Sequence, residues 1–429
     1  MNAVFLVIVF TAFATAAWQQ LFLSGGGETS PMDALSRAMV ESATGSVELA
    51  LGLIGVMALF LGLMKVAEEG GLLTILARLI RPLMVRLFPD VPPGHPAMGA
   101  MILNISANAL GLGNAATPFG IRAMQELDRL NPRPGTATDS MVLFLAINTS
   151  SVTLLPTGVI ALRAAAGSAD PAGILPTTLF ATLCSTTVAI AAALFFRRFF
   201  PLGPVPAETV ERAEKEEGGG EALPEEADAA YPLWVSLLAL AGLLALVPLS
   251  ILYGKRIAPW ILPGLMIGFL AFGFLRGVAV YEAFVEGAKE GFQVAIRIIP
   301  YLVAILVAVG MFRASGAMDF LVDTIGRWTT ALGLPAEALP MALLRPLSGS
   351  GAYGVMASII NDPAIGPDSY TGYLVSTLQG STETTFYVLA VYFGAVQVRR
   401  IRHALAAALS ADVAGVIAAV VACLYLFGG

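Results

Sequence analysis

Long apolar runs separated by short charged or Pro/Gly-rich segments make up most of this chain. Each run is close to the roughly 20 residues that a helix needs to cross a bilayer. The pattern therefore predicts an all-α polytopic membrane protein. The runs cover residues 4–23, 47–64, 141–162, 173–196, 233–253, 257–275, 294–312, 370–396 and 404–427.

Two stretches interrupt this pattern, NISANALGLGNAATPFG at 104–120 and RPLSGSGAYG at 345–354. Both are too rich in glycine and polar side chains to face lipid, because each unpaired backbone amide in hydrocarbon costs several kcal/mol. We expect both to be re-entrant breaks that line a cavity. Between a break and the preceding span, 71–88 and 317–333 have the composition of amphipathic surface helices.

In the first break, Thr117 and Pro118 predict a helix start, with Thr117 as the N-cap and Pro118 as the first helical residue. If 96–109 enters the membrane and 119–130 leaves it, free amides and the positive end of a helix dipole lie near mid-depth, where they could bind an anion or a carbonyl group. Alternatively, the asparagines only satisfy the broken backbone. The candidate binding residues are Asn104, Asn108, Gly111, Gly113, Asn114 and Thr117, with the two glycines permitting positive φ.

The second break begins with Arg345, followed by Ser348, Gly349, Ser350 and Gly351, and 352–360 is predicted as its outgoing helix. An arginine at membrane depth is costly and is usually paired. Its expected partner is Glu383, in the body of the 370–396 span. Glu383 could bind a coupling proton or cation or a substrate group, or it could simply form a buried ion pair with Arg345.

The segment QGSTETT at 379–385 places a polar patch halfway along that span, and 148–153 is its uncharged counterpart in the first half. Asp139 and Asp368, which precede the two spans, are expected to cap them. The patches add Asn148, Ser150, Ser151, Gln379, Ser381, Thr382 and Thr384 to the candidate substrate-binding residues, beside Ser348, Gly349 and Ser350.

The two halves resemble each other. Asp139-Ser140 and Asp368-Ser369 open similar spans at an offset of 229 residues, and each half contains a span, a surface helix, a break and a polar span. Between them, residues 205–230 contain nine acidic and two basic residues and a triple glycine, which predicts a flexible linker. The predicted domains are 1–200, the linker 201–231, and 232–429.

Positive charges predict the orientation. The arginines of 78–86, 197–198 and 399–402 are consistent with a cytoplasmic N-terminus and linker, and they place Asp319 and Asp323 outside. Corresponding elements would then run in opposite directions, as in the inverted repeats of transporters. Lys255, Arg256 and Arg163 fall on the wrong side. Residues 4–23 also resemble a signal peptide, but no basic residue precedes them, so we expect a retained span.

Composition excludes several functions. Hydrophobic residues make up 57% of the 429 residues and charged residues 13%, far from soluble proteins. Cys184 and Cys423 lie singly in apolar runs, and His95 and His403 lie in separate halves, so neither a metal site nor another cofactor is expected. Without a nucleophile–histidine pairing, an enzyme is not expected, and nothing indicates a nucleic-acid partner.

Three segments resemble a known family: LGLIGVMALFLGLMKVAEEGGL, FPDVPPGHPAMGAMILNISANALGLGNAATPFGIRAMQELDRLN and TLQGSTETTFYVLAVYFG. They are similar to bacterial spore maturation proteins A and B, here fused, covering roughly 1–200 and 255–429. Both resemble the wider nucleoside-recognition (Gate) group, related to concentrative nucleoside transporters and to the ferrous iron transporter B channel. The chain has no GxxxxGK[ST] motif for a GTPase, and its breaks contain no cysteine for an iron path.

Together these features predict a bacterial inner-membrane permease for a small polar solute, nucleoside-like or anionic, bound at the midplane between the two breaks. Its expected partners are the lipid bilayer and the solute, and a homo-oligomer is compatible with the sequence. The alternative is a non-transporting scaffold or regulator of envelope or spore maturation that acts through a protein or lipid partner.

Overall fold

A computed structural model describes residues 2–23, 30–202 and 230–428, and this part of the chain is almost entirely helical. The described residues form no strand beyond an isolated bridge between Thr136 and Arg400. The all-α prediction is therefore confirmed. The predicted linker 201–231 lies outside the described residues, apart from 201–202 and 230–231 at its two ends.

The helices of the first half are α1 Asn2–Trp18, continued by a π-helical turn Gln19–Leu23, α2 Pro31–Glu69, α3 Leu72–Leu87, α4 Pro96–Ala109, α5 Gly113–Arg129, α6 Asp139–Thr149, α7 Thr157–Ala165 and α8 Leu175–Phe196. Those of the second half are α9 Leu233–Leu275, α10 Val280–Ala314, α11 Ala317–Ala331, α12 Leu339–Leu344, α13 Gly349–Ile360, α14 Tyr370–Ser381, α15 Thr385–Ala395 and α16 Ala404–Phe427. Short 3₁₀ turns occur at Arg197–Phe199 and Ala336–Ala338.

Several helices have the length and composition of membrane spans. Within the described ranges, four qualify by themselves: Phe5–Phe22, Pro31–Glu69, Leu175–Phe199 and Ala404–Phe427. Shorter apolar helices accompany them, among them Asp139–Thr149 and Gly349–Ile360. The protein is thus a multi-pass membrane protein. The predicted surface helices also form, as α3 and α11.

Two predicted spans are broken in the middle. The run at 141–162 is divided into α6 and α7, and the run at 370–396 into α14 and α15. The prediction of continuous helices was wrong because Ser and Thr hydroxyls compete for backbone carbonyls in the polar centre of each run. In the first run, Pro156 also lacks the N–H that a helix would need.

The predicted runs 233–253 and 257–275 form one continuous helix, α9, of 43 residues. Lys255 and Arg256 were taken to end a span, but both residue types favour helix, so a basic pair alone does not break one. At about 1.5 Å per residue, α9 extends roughly 65 Å, well beyond the hydrocarbon thickness of a bilayer. The side chains of this basic pair, and those of Asp319 and Asp323, lie outside the described residues.

The long helices α2 and α10, which contain the predicted spans 47–64 and 294–312, pack along each other through glycines. A Cβ added at Gly291 would lie 2.7 Å from the Cα of Ala58, and one at Gly62 would lie 2.8 Å from the ring of Phe284. Small residues permit this close approach, as is common between membrane helices.

The broken helices α6–α7 and α14–α15 lie antiparallel. At one end, Asp139 at the start of α6 pairs with Arg402, which follows α15 (2.7 Å between Oδ1 and Nη1). At the other end, Arg163 in α7 pairs with Asp368, which precedes α14 (3.0 Å between Nη2 and Oδ1). The antiparallel relation of these two elements agrees with inverted repeats. The complete inverted repeat, and the proposed domain boundaries, remain predictions.

Each of the two large hydrophobic clusters contains helices from both halves of the chain. One cluster combines α4, α5 and α6 with α15 of the second half, which contributes Val388, Leu389 and Phe393. The other combines α12, α13 and α14 with α7 of the first half, which contributes Val159, Ile160 and Leu162. The second part of each broken helix, α7 or α15, therefore packs into the other half of the chain.

Two of the arginine groups that predicted the orientation, 197–198 and 399–402, lie at the same end of the protein. Arg402 donates to the carbonyl oxygens of Phe200 and Ala137, and Arg133 donates to that of Leu202. Arg163 is at the opposite end but is fully buried and bound to Asp368, so it is a structural residue rather than a topological signal. Which end faces the cytoplasm remains a prediction.

Replacing Asp368 with Asn should lower stability markedly, because Arg163 would keep its charge without its carboxylate partner. Breaking a buried ion pair costs about 3–5 kcal/mol, and the partial exposure of Asp368 places the expected loss at or below the lower end of that range. Thermal unfolding in detergent would measure the change. The matched control is Glu286→Gln, which removes an exposed pair with Lys289 and should change little. Equal midpoints for the two variants would contradict the structural role of Arg163.

Candidate functional site

The first break is a tight helical hairpin. Gly111 has φ of +76° and ends α4 with two hydrogen bonds, from its own N–H to the Asn108 carbonyl and from Leu112 N–H to the Ala107 carbonyl, both 2.9 Å. This pair of bonds is the Schellman motif, which glycine favours because it lacks a Cβ. The predicted positive φ at Gly111 is confirmed.

Helix α5 begins at Gly113, five residues before Pro118, the predicted first helical residue. The Schellman turn redirects the chain so sharply that it enters the next helix at once, and Pro118 is accommodated inside that helix. The capping prediction for Thr117 and Pro118 was therefore wrong. Gly113 and Asn114 belong to the first turn of α5, and the side chain of Asn114 lies outside the described residues.

The second break joins α12 to α13. Ser348 caps α13, and its hydroxyl accepts a hydrogen bond from the Gly351 N–H at 3.0 Å. The outgoing helix begins at Gly349, three residues earlier than predicted, and ends at Ile360 as predicted. The early start reflects the strength of serine as an N-cap, which outweighs the low helix propensity of the two glycines.

Backbone hydrogen bonds join the two hairpins and the two broken helices to one another. Leu154 N–H donates to the Ala109 carbonyl at 2.9 Å, which joins the first broken helix to the first hairpin. Glu383 N–H donates to the Thr149 carbonyl at 2.9 Å, which joins the two broken helices. Phe386 N–H donates to the Pro346 carbonyl at 3.1 Å, completing the connection to the second hairpin. Polar groups freed by one break thus find partners at another.

A cavity of about 260 Å³ lies where these elements meet. Its lining comes from both hairpins and both broken helices. Of the residues proposed from the sequence, it contains Asn108, Gly111, Arg345, Gly349, Gln379 and Glu383. Thr153, from the predicted polar patch 148–153, also lines it. The lining further includes residues that sequence reasoning did not select: Leu155, Pro156, Thr157, Gly158, Val159, Tyr353 and Gly380.

Arg345 and Glu383 supply the charge of this cavity. The Arg345 guanidinium is buried, donates to the Thr384 hydroxyl at 3.2 Å and to the Thr382 carbonyl, and lies 3.8 Å from Glu383 (Nη2 to Oε2). The Glu383 side chain is 51% exposed, so much of its carboxylate is accessible. Arg345 is thus held by the interruption between α14 and α15, whereas the carboxylate of Glu383 can accept further hydrogen bonds.

The asparagines play different parts. Asn108 lines the cavity and donates to Asn148 Oδ1 at 3.0 Å, and Tyr392 donates to the same oxygen at 3.3 Å. Asn104 is fully buried, where it donates to the Ala116 carbonyl at 2.7 Å and to the Tyr392 hydroxyl at 3.2 Å. Asn104 therefore braces the first hairpin, and Asn148 orients Asn108.

Other candidates support the backbone around the cavity. The hydroxyls of Ser150, Ser151 and Ser381 donate to carbonyls three or four residues earlier in their own helices. Thr382 and Thr384 hold Arg345, and Ser350 lies 3.5 Å from the Ser348 hydroxyl. Thr117 lies within α5, where it has a polar partner. A direct binding role for these residues remains a prediction.

The sequence analysis overlooked one membrane carboxylate, Asp412 in α16. It is buried, and its Oδ2 accepts a hydrogen bond from the Thr385 hydroxyl at 2.8 Å. The sequence could have identified Asp412 as a candidate, because it is a single acid within the apolar run 404–427 and acidic residues are rare in membrane helices. No cluster of three or more His, Cys, Asp or Glu that could hold a metal ion occurs in the described parts of the chain.

Two helical hairpins that meet at two broken helices around a cavity of about 260 Å³ define the class of this membrane protein. A family model described as Gate, nucleoside recognition, matches residues 50–166 and 295–399, which together contain both hairpins and both broken helices. The chain belongs to this family.

Two curated proteins of Bacillus subtilis are similar to parts of the chain. Spore maturation protein B is 48% identical over 167 residues, which is 39% of this chain and 93% of that protein. Spore maturation protein A is 46% identical over 162 residues, which is 38% of this chain and 83% of that protein. The inner membrane protein YjiG of Escherichia coli K12 is 30% identical over 100 residues, covering 23% of this chain and 62% of YjiG. The resemblance to the two spore maturation proteins is confirmed.

A solved structure of CNTnw, described as an inward-facing substrate-bound state, covers 98% of this chain and 90% of its own chain at 14% identity. The TM-score of 0.45 is too low to support an argument about substrate or mechanism.

Gly111→Ala should destabilise the first hairpin for two reasons. The positive φ costs an L-residue about 1 kcal/mol, and the added Cβ would collide with the Leu155 carbonyl oxygen in the adjacent break. The control is Gly135→Ala, where φ is also positive (+80°) but no atom lies within 4 Å. Thermal unfolding should show a clearly larger loss for Gly111→Ala. Equal losses would mean that the hairpin and the break are not in close contact.

Proposed function

We propose that this protein is a permease for a small polar solute, which binds in the cavity between the two hairpins. The observation that carries the proposal is the pairing of a half-exposed carboxylate, Glu383, with a buried guanidinium, Arg345, beside the amides of Asn108 and Gln379. Charged groups at membrane depth usually mark a solute or ion pathway.

The chemistry of the lining favours a compact solute with both donors and acceptors. Glu383 would accept hydrogen bonds, Arg345 would donate, and the two amides can do both. A cavity of about 260 Å³ is slightly smaller than the usual range for small-molecule sites, about 300–1,000 Å³. The description of the family as nucleoside recognition supports a nucleoside-like solute, and Arg345 keeps a small anion as a second candidate.

The arrangement of the breaks supports a transport role rather than simple binding. The cavity is built where four helix interruptions meet, and irregular backbone at membrane depth is tolerated where it lines a cavity. In transporters, such interrupted helices provide both the binding groups and the moving parts. We place the protein in the bacterial inner membrane, in line with its similarity to the inner membrane protein YjiG.

Uptake into proteoliposomes would test the proposal. Purified protein would be offered radiolabelled nucleosides and, separately, small inorganic and carboxylate anions. Glu383→Gln should reduce uptake of the transported solute about 10- to 100-fold, which corresponds to about 1.5–3 kcal/mol for a lost charged hydrogen bond. Asn108→Ala removes a neutral hydrogen bond of about 0.5–1.5 kcal/mol and should reduce uptake about 2- to 10-fold. Glu286→Gln, at an exposed surface pair, should transport like the wild type.

Correct folding of each variant would be checked by gel filtration and circular dichroism. Wild-type uptake in both site variants would contradict the binding role of the cavity. The spore maturation names of two relatives leave a non-transporting role in envelope or spore maturation as the alternative. Absence of uptake for every solute, together with a stoichiometric protein partner recovered from membranes, would favour that alternative.

A further inference from the structure

Asp412 is a buried acid within the body of α16, only 4% exposed. Its Oδ2 accepts one hydrogen bond, from the Thr385 hydroxyl at the start of α15. Within the described structure, its Oδ1 is buried without a hydrogen-bond partner. An ionised carboxylate offers about four acceptor sites, so this environment satisfies it poorly.

The surroundings of Asp412 contain little that could neutralise it. Helices α6, α8, α14 and α15 pack against α16, and their bodies carry no Asp, Glu, Lys or Arg apart from Asp139 at the start of α6, which pairs with Arg402. Their other titratable groups are tyrosines and Cys184, which are neutral at physiological pH. Close by, α8 contributes the Ser185 hydroxyl, which donates to the Ala411 carbonyl, and a Cβ at Gly415 would touch Thr382.

Arg345 and Asp412 bind the same short segment: the guanidinium donates to the Thr382 carbonyl and the Thr384 hydroxyl, and Asp412 accepts from the Thr385 hydroxyl. Glu383, in that segment, lies 3.8 Å from the guanidinium and is half exposed. One guanidinium cannot neutralise two carboxylates, and an unpaired charge in a low-dielectric interior is costly. The buried, poorly solvated acid is therefore the one that should be neutral.

We propose that Asp412 is a proton-binding site, protonated while Arg345 is engaged with Glu383. Protonation adds one proton to a carboxylate oxygen, and deprotonation releases it to water, so no other reactant is needed. A metal cation would fit this place poorly, because even hard cations need several oxygen ligands and, in the described structure, a single hydroxyl is hydrogen-bonded to Asp412.

Infrared spectroscopy of the purified protein would test this site without any solute. At neutral pH, the wild type should show the carbonyl stretching band of a protonated carboxylic acid, shifted by deuterium exchange and by ¹³C labelling of aspartate. The band should be lost in Asp412→Asn and retained in Glu383→Gln. Loss in Glu383→Gln with retention in Asp412→Asn would overturn the proposal, and so would absence of the band from the wild type.

The aspartate label keeps the test valid if Asp412→Asn does not fold, because it identifies an aspartic acid in the wild-type protein. Thr385→Val then provides a second variant. It removes the hydroxyl that donates to Oδ2, so the band should shift to higher frequency without disappearing. An unchanged band in Thr385→Val would show that the protonated aspartic acid lies elsewhere.

Use of this proton to drive transport rests on the proposed function. For a neutral solute carried with one proton, a gradient of one pH unit drives about tenfold accumulation. Wild-type proteoliposomes should accumulate solute to that extent, and Asp412→Asn should equilibrate it without accumulation. Uptake that ignores the gradient would overturn the coupling role. Absence of uptake, with the infrared band present, would reject the permease function but not the proton site.

Discussion

The rest of this structure depends on one constraint. Backbone N–H and C=O groups that lose their helical partners at the helix breaks must form hydrogen bonds elsewhere in the protein. Hydrocarbon offers no hydrogen bonds, so these groups must be satisfied by protein. The bonds from Leu154 to Ala109, from Glu383 to Thr149 and from Phe386 to Pro346 meet this need by joining each break to a neighbouring one. Because the breaks satisfy each other, they must lie together, and the cavity forms at their meeting point.

The same constraint explains why the two halves are interleaved. Once α6 and α14 end at adjacent breaks, the half-helices α7 and α15 continue into the hydrophobic core of the opposite half. The ion pairs Asp139–Arg402 and Arg163–Asp368 then close both ends of the antiparallel pair. A solute in the cavity would therefore contact both halves of the chain at once, and a change in one hairpin would be transmitted to the other half through packed elements.

Charge in the centre of the protein is sparse, so each charged group matters. Arg345 is fixed by Thr382 and Thr384 and lies 3.8 Å from Glu383, and Asp412 is bound to the neighbouring Thr385. The first hairpin contributes the neutral Asn108, which donates to Asn148 of the first broken helix. The charged residues that line the cavity, Arg345 and Glu383, come from the second half of the chain.

The sequence by itself determined the helical membrane class, the two hairpins and the pairing of Arg345 with Glu383, because apolar length, glycine content and rare membrane charges are local properties of a segment. Only the tertiary structure decided that Asn108 faces the cavity while Asn104 is buried, that 141–162 and 370–396 are broken, and that α9 is continuous. It also identified Asp412 as a neighbour of the site. These features depend on contacts between residues far apart in the chain, such as Asn104 with Tyr392, and a local pattern of residue types does not record which distant group satisfies a given polar atom.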